Sequence, residues 1–285
     1  MSTQVPLNPA YGSATAPPPP PYGYGSTSPS PHYTEPLSHY GTIDDVESGS
    51  LIPPPQLAFN DGSIRRAFVR KVFALLFIML LIVVGMICLF RFEPHCLKFV
   101  QDHPGMYIAS FVVFFVVYLS LVCCEGVRHS FPVNVILMFL LALVIGYMTA
   151  MITARYSTDI VLLAMTISCL VCVCIILFSM QSRFDLTGSF MSVLVTVGFV
   201  VTMFGFVAII ASMLFHVRIL YLVYSGLIAL VFMGYLAVDI QLIMGGKSCE
   251  ISPEEYVFAT IQLFMDIILI FWNLLQIIGA ISGEN

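Results

Sequence analysis

The first 64 residues contain no lysine and no arginine, and the whole 285-residue chain is only 9% charged. A nucleic-acid partner calls for a basic face, and none is present. Hydrophobic residues make up 59% of the chain and the mean hydropathy is +0.97, too apolar for a soluble globule. The chain also has no Asn-x-Ser/Thr sequon. No apolar run occurs before residue 70, so no N-terminal signal peptide is expected. Gly-x-Ser-x-Gly and the His-Glu pattern of zinc proteases are missing. The histidines sit in the tail or at the edges of apolar runs, none beside an obvious nucleophile. The sequence therefore does not read as an enzyme.

The few charges are unevenly placed. Glu35, Asp44, Asp45, Glu47 and Asp61 precede residue 65, whereas beyond it acids and bases balance, so the net charge of −5 belongs to the N-terminal segment. That segment is rich in Pro, Gly, Ser and Tyr, and its composition predicts a disordered tail over residues 1–64. It carries three short linear patterns. Pro19-Pro20-Pro21-Tyr22 fits the polyproline ligand of WW domains, such as those of ubiquitin ligases. Tyr40-Gly-Thr-Ile43 fits a tyrosine-based sorting signal, and Glu47-Ser-Gly-Ser-Leu51-Ile52 an acidic dileucine signal, both of the kind read by clathrin adaptors. Each pattern is short enough to arise by chance.

Residues 65–285 form a second region. Seven apolar runs there have about the 20 residues a helix needs to cross a hydrocarbon core. They are Val72–Phe90, Met106–Cys124, Pro132–Ala154, Ile160–Met180, Gly188–Phe215, Ile219–Met244 and Tyr256–Ala280. Short connections make neighbours antiparallel, so the expected fold is all-α: a polytopic, seven-helix transmembrane bundle. Arg65, Arg66, Arg70 and Lys71 precede the first span, and Arg128, Arg183 and Lys247 fall on the same side, against Arg91, Lys98, Arg155 and Arg218 opposite. The excess predicts a cytosolic N-terminus. A re-entrant last run would return the C-terminus to the cytosol.

Most of the eight cysteines lie within the apolar runs. Cys169-x-x-Cys172-x-Cys174 has a metal-like spacing, but Ile, Val and Leu surround it, so packing is the expected role. Cys123-Cys124, at the end of a span, reads as packing or as a palmitoylation site.

Two acids stand out. Asp239 lies near the end of the sixth run and Asp266 in the middle of the seventh. A carboxylate at bilayer depth costs roughly 3 kcal/mol or more, which makes an acid there a candidate functional residue. The two runs are joined by a short connection and should pack as an antiparallel hairpin. Two carboxylates facing each other can share one proton, the arrangement of a pH switch, and ionised they offer the oxygen ligands that calcium accepts. Gln262, Asp266, Asn273 and Gln276, spaced by four, seven and three residues, share one helical face. A helix lining an ion path would show that stripe; so would a polar helix–helix contact. Intramembrane aspartyl proteases of the presenilin type also use two aspartates, within Tyr-Asp and Gly-x-Gly-Asp. Here the acids follow Val238 and Met265, so both signatures are missing.

Five stretches carry a resemblance to a known family. They are Arg65-Arg-Ala-Phe-Val-Arg-Lys-Val-Phe73, Cys123-Cys-Glu-Gly-Val-Arg-His-Ser-Phe-Pro-Val-Asn134, Gln181-Ser-Arg-Phe-Asp-Leu-Thr187, Ala237-Val-Asp-Ile-Gln-Leu-Ile-Met-Gly245, and Ile251-Ser-Pro-Glu-Glu-Tyr256 continuing through Asp266. In this order they resemble the Bax-inhibitor (transmembrane Bax inhibitor motif) family, in its lifeguard branch. The resemblance implies a seven-helix bundle with a di-aspartyl pH sensor at Asp239 and Asp266 and a pH-sensitive calcium leak. It further implies negative regulation of apoptosis, contact with apoptosis regulators, and residence in endoplasmic reticulum, Golgi or endosomal and lysosomal membranes. Calcium would be the permeant ion, held only in passing by the two aspartates, with no resident cofactor. Two departures bear on the closed state: Arg128-His129 replaces the usual Arg-Arg, and Gln181-Ser-Arg183 the usual Gln-Thr-Lys. Arg128 is the candidate basic latch. The alternative is a non-conducting membrane regulator that binds death-receptor or trafficking proteins.

Overall fold

The computed structural model describes residues 55–93, 95, 98, 105–215 and 218–283. The WW-ligand motif and the two sorting motifs lie outside the described residues. Apart from the helical positions 95 and 98, the described residues form eight α-helices and no strand: α1 (Pro55–Phe92), α2 (Gly105–Cys123), α3 (Glu125–His129), α4 (Val133–Thr153), α5 (Thr158–Gln181), α6 (Ser189–Phe215), α7 (Arg218–Met244) and α8 (Tyr256–Ile281). All but the five-residue α3 contain a stretch long and apolar enough to cross a membrane, and the chain forms a seven-span bundle.

The element ends follow local chemistry. Pro55 opens α1, where its fixed φ suits the first helical position and its missing N–H costs nothing. The helix thus begins upstream of residue 65, where the composition changes. Ser157 precedes α5, and Asp159 in its first turn complements the positive helix end. Gly245 and Gly246 follow α7 at φ 72° and 75°, the left-handed conformation that stops a helix. Ser252 then accepts a hydrogen bond from the Glu254 amide and opens a 3₁₀ turn, Pro253–Glu255, leading into α8.

α8 is the central helix. It packs most extensively on α7, and also on α5, α1, α4 and α2, whereas α6 reaches the bundle through α7. The reason lies in its sequence: Val257, Ala259, Ile261, Leu263, Phe264, Ile268, Ile270, Phe271 and Leu275 are all buried, on more than one side of the helix. Its 26 residues run unbroken, about 39 Å at 1.5 Å per residue. That is the length of a full span, not of a re-entrant half-helix. The outer faces of the other helices carry Phe77, Leu81, Phe111, Phe115, Phe199 and Phe206 exposed, as lipid-facing positions require. Gly205 lets α6 approach α7 closely: a Cβ there would meet the Tyr224 ring at 2.4 Å.

Among the described cysteines none forms a disulfide. Cys172 is buried, while Cys169 and Cys174 are exposed, so the three do not converge as ligands would.

Candidate di-aspartyl site and its polar rim

Asp239 sits five residues before the end of α7, and Asp266 ten residues into α8. The structure brings them together. Both are buried, at 7% and 6% exposure, and their carboxyl groups lie within hydrogen-bonding reach of each other. Asp266 Oδ2 is shielded from solvent and has no hydrogen-bond partner. A carboxyl so placed is costly unless a proton or a cation joins it to its neighbour.

The remainder of the predicted stripe divides. Gln276 Oε1 accepts from Ser225 Oγ of α7 at 2.8 Å. The α7–α8 seam therefore has two polar links, one at the aspartates and one nearer the C-terminal end of α8. Asn273 turns back on its own helix, donating to the Leu269 carbonyl at 2.7 Å. Gln262 is half-buried. A cavity of about 840 Å³ opens beside Ser225 and Gln276, walled by Tyr107, Arg155, Tyr156 and Tyr221.

The other end of the bundle is tied by ion pairs and backbone-directed side chains, and most of these were not legible in the sequence. Arg128 on α3 holds Glu255 through two nitrogens, Nε to Oε2 at 2.7 Å and Nη2 to Oε1 at 3.1 Å. Its third nitrogen donates to the Val122 carbonyl at 3.0 Å, and the guanidinium lies 5.4 Å from the Phe258 ring centre. Arg128 thus ties the end of α2 to the start of α8, the helix that carries Asp266. Its acidic partner is Glu255, not the aspartate pair. Asn134 donates to the Arg128 carbonyl and accepts from the Val135 amide. Lys71 stands 3.2 Å above the Tyr256 ring. Arg65 donates to the Ile251 carbonyl at 2.6 Å and pairs with Glu250.

Gln241, two residues beyond Asp239, is 2% exposed. Its Oε1 accepts from the Leu186 amide at 2.8 Å and its Nε2 donates to the Phe184 carbonyl at 3.0 Å. The α5–α6 loop is thereby fixed to the helix bearing Asp239. The same loop supplies Asp185, which accepts from Ser248 and Thr187, and those donors hold its carboxyl well below the usual carboxylate range. Lys247 returns the contact, donating to the carbonyls of Ser182, Arg183 and Phe184. Glu250 is likewise held low, by the Gly246 amide first and then by Arg65. A single polar glutamine in an apolar run was visible in the sequence. Its partners are backbone groups 55 and 57 residues away, which no spacing rule reveals.

The family model described as "Inhibitor of apoptosis-promoting Bax1" matches residues 65–283. The chain belongs to the Bax-inhibitor family, in its lifeguard branch. Mouse "Protein lifeguard 3" is 32% identical over 275 residues, 95% of this chain and 88% of the relative. The human "Protein lifeguard 3" is 36% identical over 221 residues, covering 78% and 71% of the two chains. Mouse "Protein lifeguard 4" is 30% identical over 242 residues, covering 85% and 94%. The family is one of membrane-embedded inhibitors of apoptosis, and the matched segment contains Asp239, Asp266 and every contact of the rim.

Proposed function

We propose that this lifeguard-branch protein is not an enzyme but a pH-sensitive calcium leak of an intracellular membrane, gated by Asp239 and Asp266, whose drain on stored calcium restrains apoptosis. The observation that carries the reading is the meeting of two buried carboxyls on the central hairpin. While the pair shares a proton, one hydrogen bond joins α7 to α8. Loss of that proton leaves two like charges, which at contact repel by roughly 4 kcal/mol at an effective dielectric of about 20. It also leaves oxygen ligands of the kind calcium accepts, with irregular geometry tolerated. Protonation state and helix separation are therefore coupled, and one proton changes both the charge of the path and its width.

Support for a cytosolic N-terminus comes from the excess of Arg and Lys on that side. On that topology the tail is free to meet WW-domain ubiquitin ligases through Tyr22 and clathrin adaptors through Tyr40 and Leu51. Calcium efflux from liposomes holding the purified chain tests the conducting role. Efflux above that of empty liposomes is expected, and deleting residues 1–60 should leave it intact. No efflux at any value between about pH 5 and pH 8 would instead favour a non-conducting regulator acting through partners.

A further inference from the structure

We infer that His129 is a proton-dependent positioning residue for the start of α8, acting through Glu255 and separate from the aspartate pair. His129 Nδ1 lies 3.0 Å from the Glu125 carbonyl oxygen. A carbonyl can only accept, so this contact is attractive only when Nδ1 carries a hydrogen. Nε2 lies 3.3 Å from Glu255 Oε1. The neutral ring carries one hydrogen, so in either tautomer one of the two nitrogens turns a lone pair toward an oxygen, which is repulsive. In the imidazolium both nitrogens donate, and both contacts become attractive.

The charges around the ring agree. Glu125 and Arg128 face it from α3 and Glu255 from the 3₁₀ turn, with the Glu125 and Glu255 carboxylates and the ring within 4.8 Å of one another. Lys71 on α1 is engaged with the Tyr256 ring beside them. Lys71 is spent on that ring, so of the groups gathered at the imidazole itself the two carboxylates outnumber the Arg128 guanidinium, which favours an imidazolium over a neutral ring. Glu255 is the residue from which α8 starts. Proton binding at His129 therefore tightens the clasp between α3 and the helix bearing Asp266. Loss of that proton returns Glu255 to Arg128 alone. An imidazole, unlike a guanidinium, can release its proton, so the clasp can loosen where a second arginine at this position would stay fixed.

Hydrogen exchange of the full chain in lipid nanodiscs, with EDTA present throughout and rates corrected for the pH dependence of intrinsic exchange, tests this. Protection of peptides covering residues 125–134 and 252–262 should fall about two- to five-fold as pH rises from about 5 to about 8, the factor such half-exposed ion pairs supply. His129→Arg should hold protection high and flat, and His129→Gln low and flat. The wild-type step should persist in Asp266→Asn, which separates it from the aspartate pair. A pH-independent wild type, a step that survives in either His129 variant, or its loss in Asp266→Asn would overturn the inference.

Discussion

Arg128 grips Glu255 with two nitrogens at 2.7 and 3.1 Å, joining the short helix α3 to the residue that caps the start of α8. The pair is half-buried, so its loss strands a carboxylate in a poorly solvated place. Arg128→Ala should lower stability by about 1–3 kcal/mol. Arg128→Lys should restore only part of this, because an ammonium cannot make the forked contact. Thermal unfolding of the detergent-solubilised variants measures both, and equal stability of all three chains would refute the role.

Gln241 is the fixing point of the α5–α6 loop. Gln241→Leu keeps the volume but leaves the Leu186 amide and the Phe184 carbonyl without their partners. A cost of about 1–3 kcal/mol follows for the unpaired groups. Amide exchange in residues 184–188 should quicken, with little change in α1. Unchanged exchange in that loop would contradict the assignment.

The loops joined through Asp185 should ignore pH until strongly acid conditions. Donation from Ser248 and Thr187 depresses the Asp185 carboxyl in the folded state. A depressed carboxyl contributes stability that is present above its unfolded value, about 4, and is lost as pH falls through the folded value. Any transition between about pH 5 and pH 8 must therefore come from other groups. Asp185→Asn should loosen residues 245–250 at neutral pH. Tryptic cleavage after Lys247, timed for variant and wild type, reads this directly, and equal rates would sink the prediction.

Two glycines separate packing from propensity. A Cβ at Gly205 would meet the Tyr224 ring at 2.4 Å, whereas at Gly85 nothing lies within 4 Å. Gly205→Ala should cost about 1–3 kcal/mol through overpacking. Gly85→Ala, in an exposed helix interior, should be neutral or stabilising by up to about 1 kcal/mol. Melting temperatures of the two variants should move apart. A common shift would show that α6 and α7 are not in the close contact described.

Much of the architecture was legible because a span announces itself by length and apolarity. The expected Gly188–Phe215 and Ile219–Met244 runs differ from α6 and α7 by one residue at a single end. What composition could not show was α3, five residues with two basic side chains in its last turn and no apolar signal. Nor did it show that α1 begins at Pro55, because those first residues lack the hydropathy of a span. Within the site, the cost of burying Asp239 and Asp266 made them conspicuous. Glu255 looked like an ordinary first-turn acid, and its pairing with Arg128 and His129 depends on how α3 docks. The residues of the α8 stripe go separate ways: Asn273 uses its amide on its own helix while Gln276 bonds across to α7.

In the proposed mechanism the proton shared by Asp239 and Asp266 sets the leak. The decisive measurement is calcium efflux from liposomes containing wild type or Asp266→Asn, stepped between about pH 5 and pH 8. Efflux should change with pH in the wild type and be flat in the variant, which cannot lose a proton at that position. Wild-type efflux that is independent of pH, or an Asp266→Asn profile that still follows the wild type, would contradict it.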